Sequence, residues 1–439
     1  MLSSTHWNTV SIWSKAGVGT SIVLELKHHP LSSSSASSLL SSTSPRIVFD
    51  IGATPNFDLA IPANYVFISH GHIDHIGALF SHARAHAISH GGEGATYFVP
   101  SQLLPLIETS CISMSALDAA TITTSDGDCE EQSNCRRKTS LINMNLIPVN
   151  DGDEIQLKGL KYGSKTTFFI RAYKVDHGGH PALGYVIGSR TTSGLKTEYQ
   201  SLDGNQIRNL VKSGIVVTAD PIERIEVAYT GDTCARGLMM KQRPISSNSS
   251  GETTLDGNAK SNTIEGGCSS GRGLTTTLFD IGQLFQSELL FCELTYLDCT
   301  DDEEKRSIAG ERGHMHINDL DDIFSSHNQK HWDRQEICIG FNDDDDCRDD
   351  VKIPRSIVFY HLSSKYQPAQ RAMELLSIGM PQQLHTSCHV AVTSLLSNEE
   401  KQSSYDESSM SGLIQSSGCI SLTDYLSWKK KKKKKGNNS

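Results

Sequence analysis

No apolar run in the 439 residues approaches the ~18 that a membrane-crossing helix needs, so no helical span and no membrane partner are expected. The N-terminal stretch MLSSTHWNTVSIWSKAG lacks the apolar core of a secretory signal and is poor in the arginines of a transit peptide. The expected compartment is the cytosol, with the nucleus open. The eleven cysteines contain no CxxC pair and are odd in number, which fits free thiols in a reducing compartment better than a disulfide framework. Hydrophobic residues make up only 37% of the chain, low for one packed throughout, and the deficit sits in serine-rich and acidic stretches. The folded part is therefore shorter than the chain. Excess positive charge is also missing: the net charge is −10, and −17 with the run Lys429–Lys435 set aside. Much of the acid lies in DGDCEE, DDEEK and NDDDDCRDD, which read as loops or insertions, so the core is closer to neutral than the total.

What is present is a succession of short apolar segments ending in polar residues. TVSIWS and TSIVLELKHH read as strands around the glycine-bearing turn KAGVG. RIVFDIG, NYVFISH, ATYFVP, NLIPVN, TTFFIRAYKV, LGYVIGS, RIEVAYTG, SELLFCELTYLD and RSIVFYHL read the same way, with helices at GALFSHARAHAISH, PSQLLPLIETSCIS, near 317–327 and at QPAQRAMELLSIG. Disordered insertions are expected near 31–44, 124–139, 243–276 and 342–351. One folded unit over 1–394 would then be followed by a low-complexity tail, 395–439, ending in the lysine run. Two strand-rich halves with covering helices suggest an α/β sandwich of two sheets. The sequence alone establishes no internal repeat.

The densest chemistry lies in FISHGHIDHIG, where His70, His72, Asp74 and His75 fall within six positions after an apolar strand. His70 and His72, two apart, project to one face and can share one ion; Asp74 and His75, past the turn, can present an oxygen and a nitrogen to a second. Imidazole nitrogen mixed with carboxylate oxygen suits Zn²⁺ best and also admits Mn²⁺ or Fe²⁺. A lone histidine would more often be a locally hydrogen-bonded loop residue; four ligand-type residues together reverse that reading. Three more strand ends offer donors: Asp232 in YTGDT, His361 in HLSSKY, and His177 or His180 in YKVDHGGH. Asp50 of FDIG reads as a buried structural carboxylate beside the ligands. His82, His86 and His90, every four residues, read as a solvated helix face.

The blocks VFDIG, FISHGHIDHIG, LGYVI, AYTGDT, RGHMH and HLSSKY occur in the order that characterises ribonuclease Z, the tRNA 3′-processing endonuclease of the metallo-β-lactamase fold. The chain resembles the short, plant-type form, since the blocks fill nearly all of it, and TEYQSLDGNQIRNLVKSGIVV resembles the region before GDT in that branch. The first block is shared by metallo-β-lactamase-fold hydrolases in general; GHMH with HLSSKY discriminates. The resemblance implies a four-layer αββα sandwich and two zinc ions per protomer. His70, His72 and His177 would hold one; Asp74, His75 and His361 the other; Asp232 would bridge them. Two departures stand out. His177 lies seven positions before Gly184 where the family has six, which keeps His180 a competitor. Lys365 replaces the arginine of HxSxRY, keeping the charge and losing the planar fork.

Such a centre favours phosphodiester hydrolysis. Asp74 is placed to accept the proton of the attacking water, and the leaving 3′-oxygen needs a proton donor. His314 of RGHMH matches the family's acid, with Glu293 of FCELTY placed to orient or charge it and His316 as an alternative two positions on. Ser363 and Lys365 are candidate substrate contacts. The expected substrate is precursor tRNA, cut to release its 3′ trailer, and the resemblance implies a homodimer. The competing readings are another hydrolase of this fold, such as a cyclic-nucleotide phosphodiesterase or a lactonase, and a zinc-binding scaffold without catalysis. Seven intact ligand positions weigh against the last. The lysine run suits either salt-sensitive RNA attraction or a nuclear signal.

Overall fold

The computed structural model describes residues 2–27, 44–119, 140–239, 281–298, 303–324, 354–397 and 410–436. The four expected insertions fall outside these residues, Ser44 apart. Two sheets form. The first holds β1 (Trp7–Lys15), β2 (Gly19–Leu26), β3 (Arg46–Phe49), β4 (Tyr65–Phe67), β5 (Ala95–Pro100) and β6 (Met144–Val149), in that spatial order. The second holds β7 (Glu154–Tyr162), β8 (Thr166–Lys174), β9 (Leu183–Thr191), β10 (Ile222–Tyr229), β11 (Leu289–Glu293), β12 (Ser356–Tyr360), β13 (Cys388–Ala391) and β14 (Cys419–Ser421), also in sequence order.

The two-residue period of the strands sorts the side chains into layers. Phe168, Ile170, Val227, Tyr229, Leu289, Phe291, Val358 and Tyr360 of the second sheet meet Ile22, Leu24, Phe49 and Phe67 of the first in one core between the sheets. The alternate residues Val23, Val48 and Val66 face outward, onto α1 (Phe57–Ala60), α3 (Leu79–Ser89) and α4 (Leu104–Ala119); α2 (Ile73–Ile76) is a single turn between β4 and α3. On the second sheet Leu290, Ile357 and Phe359 face a third core. It is built with α6 (Ala235–Met239), α8 (residues 319–324), α9 (Ala369–Gly379) and α10 (Leu422–Gly436). The order helix, sheet, sheet, helix is the expected αββα sandwich, and every strand named from the sequence is present.

Several segments differ from expectation. The described residues of DDEEK, from Glu303 on, are not a loop: they open α7 (Glu303–Glu311), where Glu303 and Glu304 sit in the first turn and suit the helix dipole. The segment before GDT forms α5 (Gly204–Lys212), capped by Asp203, whose carboxylate accepts from Asn205 N and Gln206 N. Beyond residue 394 the chain does not end as a tail. Cys419, Ile420 and Ser421 pair antiparallel with Ala391, Val390 and His389, and Leu422 and Tyr425 are fully buried in the outer core. Only a few apolar residues mark this segment, between serines and lysines, so composition hid it. Tyr425→Ala is expected to cost about 3 kcal/mol through the cavity it leaves, read as a lower denaturant midpoint at unchanged slope. An unchanged midpoint would place the segment outside the folded unit.

Candidate metal centre

β10, β11 and β12 run parallel, so their C-terminal ends reach one edge together and deliver Asp232, Glu293 and His361. β8, two antiparallel steps from β10, ends at the same edge and leads to His177. In the first sheet β3 and β4 are parallel and lead to Asp50 and His70. The sheets are tied across this edge by Leu183 N donating to Ser69 O (2.9 Å) and Tyr185 OH to Ile68 O (2.7 Å). His72 then stands at the N-cap of α2, which carries Asp74 and His75. Gly52 lets β3 exit against this turn: a Cβ there would fall 2.0 Å from Asp74 O.

The edge gathers nitrogen and oxygen donors in overlapping groups whose atoms all lie within 4.8 Å of one another: His70, His72, His177; His70, His75, Asp232; Asp74, His75, His361; and His177, Asp232, His314. Asp232 Oδ2 lies 3.1 Å from His75 Nε2, 3.2 Å from His361 Nε2 and 3.8 Å from His70 Nε2. Asp74 Oδ2 lies 3.9 Å from both His75 Nε2 and His361 Nε2 and accepts from Gly17 N at 2.8 Å. His177 Nε2 is 3.1 Å from His72 Nδ1. His180 is exposed, meets the His72 and His177 rings and donates its backbone N–H to His177 O, but joins none of the donor groups, so the geometry favours His177 in the third position. His177→Ala is accordingly expected to lower bound zinc and His180→Ala to leave it unchanged, measured by atomic emission; the reverse result would move the ligand to His180.

Supporting contacts fix the rings. Asp50, at φ 55°, accepts from Ser69 N (2.7 Å), Ser69 Oγ (2.6 Å) and His75 Nδ1 (2.6 Å), and from Tyr229 OH. That leaves His75 Nε2 for the interior of the site, the arrangement by which a carboxylate sets a ligating histidine's tautomer. His177 Nδ1 likewise donates to Gly313 O at 2.8 Å. Gly313, at φ +75°, passes so close that a Cβ would lie 2.6 Å from His177 Cα.

Buried polar atoms are normally satisfied, yet His70 Nε2, His75 Nε2 and Asp232 Oδ1 make no hydrogen bond. Burial holds His70 well below the ordinary histidine range and brings His361 down to about 4; His72 and His177 are lowered by the same cause. These four imidazoles are therefore neutral, each with a nitrogen lone pair to offer a cation. His75 is the exception: burial opposes its charge, but Asp232 and Asp50 outweigh burial and raise it. Convergent lone pairs, two carboxylates and unsatisfied buried atoms fit divalent cations of the zinc type.

Beside this cage Glu293 is fully buried and accepts from Met315 N (2.8 Å) and Thr295 Oγ1; its Oε1 is 3.3 Å from His314 Nδ1. Burial pushes the Glu293 carboxyl up to about 7, with His314 pulling the other way. Burial pushes His314 down, but the Glu293 hydrogen bond and charge leave it above the ordinary value. His314 is thus charged more readily than a free histidine. His316 is turned away, receiving Asn318 N on Nδ1 and sharing in none of the donor groups.

Three further features lie around the cage. The face with His82 and His86 is not solvated: His82 bonds Tyr97 OH (2.7 Å) and Ala60 O (2.9 Å), His86 bonds Ile61 O (2.9 Å), and both are buried. Burial lowers His82 to about 4, so it is a neutral bridge from α3 to α1 and β5. Lys365 is paired with Asp298 (2.6 Å) and lies over the Tyr296 and Tyr366 rings; Ser363 caps the turn through Lys365 N. Neither joins the donor groups. Tyr229, Thr295 and Gly313 lie inside the quoted blocks AYTGDT, FCELTY and RGHMH, but nothing in those blocks marks them as the partners of Asp50, Glu293 and His177.

An αββα sandwich with a histidine–carboxylate cage at the C-terminal strand edge defines a metallo-β-lactamase-fold protein. The relatives narrow this. The chain is 31% identical over 173 residues to the nuclear ribonuclease Z of Triticum aestivum, covering 39% of this chain and 80% of that protein. It is 33% identical over 189 residues to tRNase Z TRZ1 of Arabidopsis thaliana (43% of this chain, 55% of that one). It is 29% identical over 194 residues to the chloroplastic tRNase Z TRZ2 of the same plant (44% and 46%). The chain thus spans about half the length of the two Arabidopsis relatives. Among solved structures it is similar to a long-form RNase Z from yeast, 11% identical with TM-score 0.40 over 82% of this chain and 38% of that chain. A second is the short form of human tRNase Z, 14% identical with TM-score 0.35 over 82% and 94%. No family model matches. The chain belongs to the ribonuclease Z family.

Proposed function

We propose that the protein is an endoribonuclease that removes the 3′ trailer of precursor tRNA, leaving a 3′-hydroxyl on the tRNA. One observation carries the reading: the donor cage sits directly beside a buried carboxylate–histidine pair, Glu293–His314, whose histidine is poised to hold a proton. In this reading His70, His72 and His177 would hold one zinc and Asp74, His75 and His361 the other, with Asp232 a donor available to both; Mn²⁺ or Fe²⁺ would suit the same donors. When bound, the ions acidify water and neutralise charge on the attacked phosphodiester. Asp74, fixed by Gly17 N–H, takes the proton of the attacking water. His314, oriented and charged by Glu293, gives one to the leaving 3′-oxygen. Thr295 and Met315 N–H hold Glu293 so that its oxygen keeps facing the imidazole.

A histidine acid suits an RNA alkoxide, a poor leaving group, and this separates the reading from an esterase or lactonase. A second copy of the chain as dimer partner belongs to the same reading, as does residence in cytosol or nucleus. Among the described residues no helix is long and apolar enough to cross a membrane. The test incubates the purified protein with a precursor tRNA bearing a 3′ trailer and, separately, with bis(p-nitrophenyl) phosphate. Trailer release with a tRNA 3′-hydroxyl is expected. Ester cleavage with intact RNA would sink the tRNA assignment and leave a two-metal hydrolase of another substrate.

A further inference from the structure

We infer that the C-terminal helix α10 is a rigid cationic arm that binds the phosphate backbone of the RNA substrate. The inference rests on the proposed function for its partner and on the helix itself for its chemistry. α10 starts directly after β14, with Ser421 passing into Leu422 without a loop. Leu422 and Tyr425 are sunk in the outer core, and Trp428 packs half-buried against it, its ring 5.8 Å from Tyr425. Beyond Trp428 the surroundings change. Lys429, Lys430, Lys431, Lys432, Lys433 and Lys434 are all exposed and all helical. Successive helix residues step about 100° around the axis, so six of them cover the whole circumference. A helix lying on a surface must bury one side; here every side faces solvent, and the last turns stand clear of the body.

Like charges three and four positions apart weaken an isolated helix, so this arm gains most from a polyanion that neutralises it. Lys429 and Lys432 reach back over the Tyr425 and Trp428 rings at 5.9 and 4.9 Å, and no carboxylate among the described residues pairs with any of the six. The rest of the chain is strongly acidic and repels a nucleic acid on average, while the arm concentrates seven positive charges in one place. A bilayer is the weaker partner, because an interfacial helix needs an apolar face and the lysine turns have none. RNA phosphates need only the charge, and counterion release makes such binding steeply salt-dependent.

The test uses the full chain and two variants, Lys429→Gln through Lys434→Gln combined, and the same six positions changed to arginine. Binding of a precursor tRNA is measured by fluorescence anisotropy across a salt series, with bis(p-nitrophenyl) phosphate turnover as the check on an intact centre. With about three phosphates engaged, the glutamine variant is expected to bind roughly tenfold more weakly at low salt. Its slope of log affinity against log salt falls by about 2, its ester turnover is unchanged, and the arginine variant behaves like the parent. Equal affinity and slope in the glutamine variant would overturn the arm, as would tighter lysine-dependent binding to anionic phospholipid vesicles than to RNA. The two readings fail separately: arm-dependent RNA binding without trailer cleavage removes the proposed function and keeps the arm, and cleavage with unaltered binding in the glutamine variant does the opposite.

Discussion

Asp232→Ala is expected to lower turnover of both precursor tRNA and bis(p-nitrophenyl) phosphate by at least about 10³-fold and to strip metal from the protein. Losing a mere supporting partner of a ligand costs about 10–100-fold; Asp232 is the carboxylate on which the cage converges. Its Oδ2 is the anion nearest the Nε2 atoms of both His75 and His361, and its Oδ1 is buried with nothing to bond. Without it, His75 keeps Asp50 on one nitrogen and has only the more distant Asp74 on the other, His361 likewise keeps only Asp74 at 3.9 Å, and His70 loses the carboxylate 3.8 Å from its Nε2. Divalent cations would then meet a cage poorer in charge and in oxygen. Metal content by atomic emission after dialysis, beside both activities, is the measurement. Full metal with retained turnover would show that Asp232 only braces the strand end.

His314→Ala is expected to lower trailer cleavage by about 10²–10⁴-fold, the usual contribution of a general acid, with metal content intact. The two substrates separate the acid from every other role. An RNA 3′-alkoxide leaves slowly without a proton, whereas p-nitrophenolate leaves without one, so ester turnover should fall far less than RNA cleavage. Glu293→Gln should show the same asymmetry in weaker form, because it removes the charge that keeps His314 protonated and leaves a side chain of the same shape. Equal losses on both substrates would remove the acid role. Loss of metal in His314→Ala would make His314 a ligand, which its grouping with His177 and Asp232 makes a concrete alternative outcome.

Much of this centre was readable because its chemistry is local. His70, His72, Asp74 and His75 lie on one strand end and one helical turn, so period and spacing alone bring them together. Asp232 and His361 were readable as polar residues ending apolar strands, which is how a sandwich presents side chains at its edge. The choice between His177 and His180 was not, since it depends on which ring faces His72 and on Gly313 O holding His177 Nδ1 across the site. Likewise His82 and His86 look solvated by composition; their burial comes from Tyr97, Ala60 and Ile61, contributed by separate elements. The partners of Lys365 were not legible either, since Asp298, which pairs with it, lies 67 residues upstream.

The sequence by itself determined the donor types, the alternation that sorts each strand into two cores, and the charge of the C-terminal run. Those properties belong to single residues and their near neighbours. The tertiary structure decided which donors converge, which histidines stay dry and where the folded unit stops. Each of these is a property of parallel strand ends brought to one edge by two packed sheets, and no local window of sequence contains that edge.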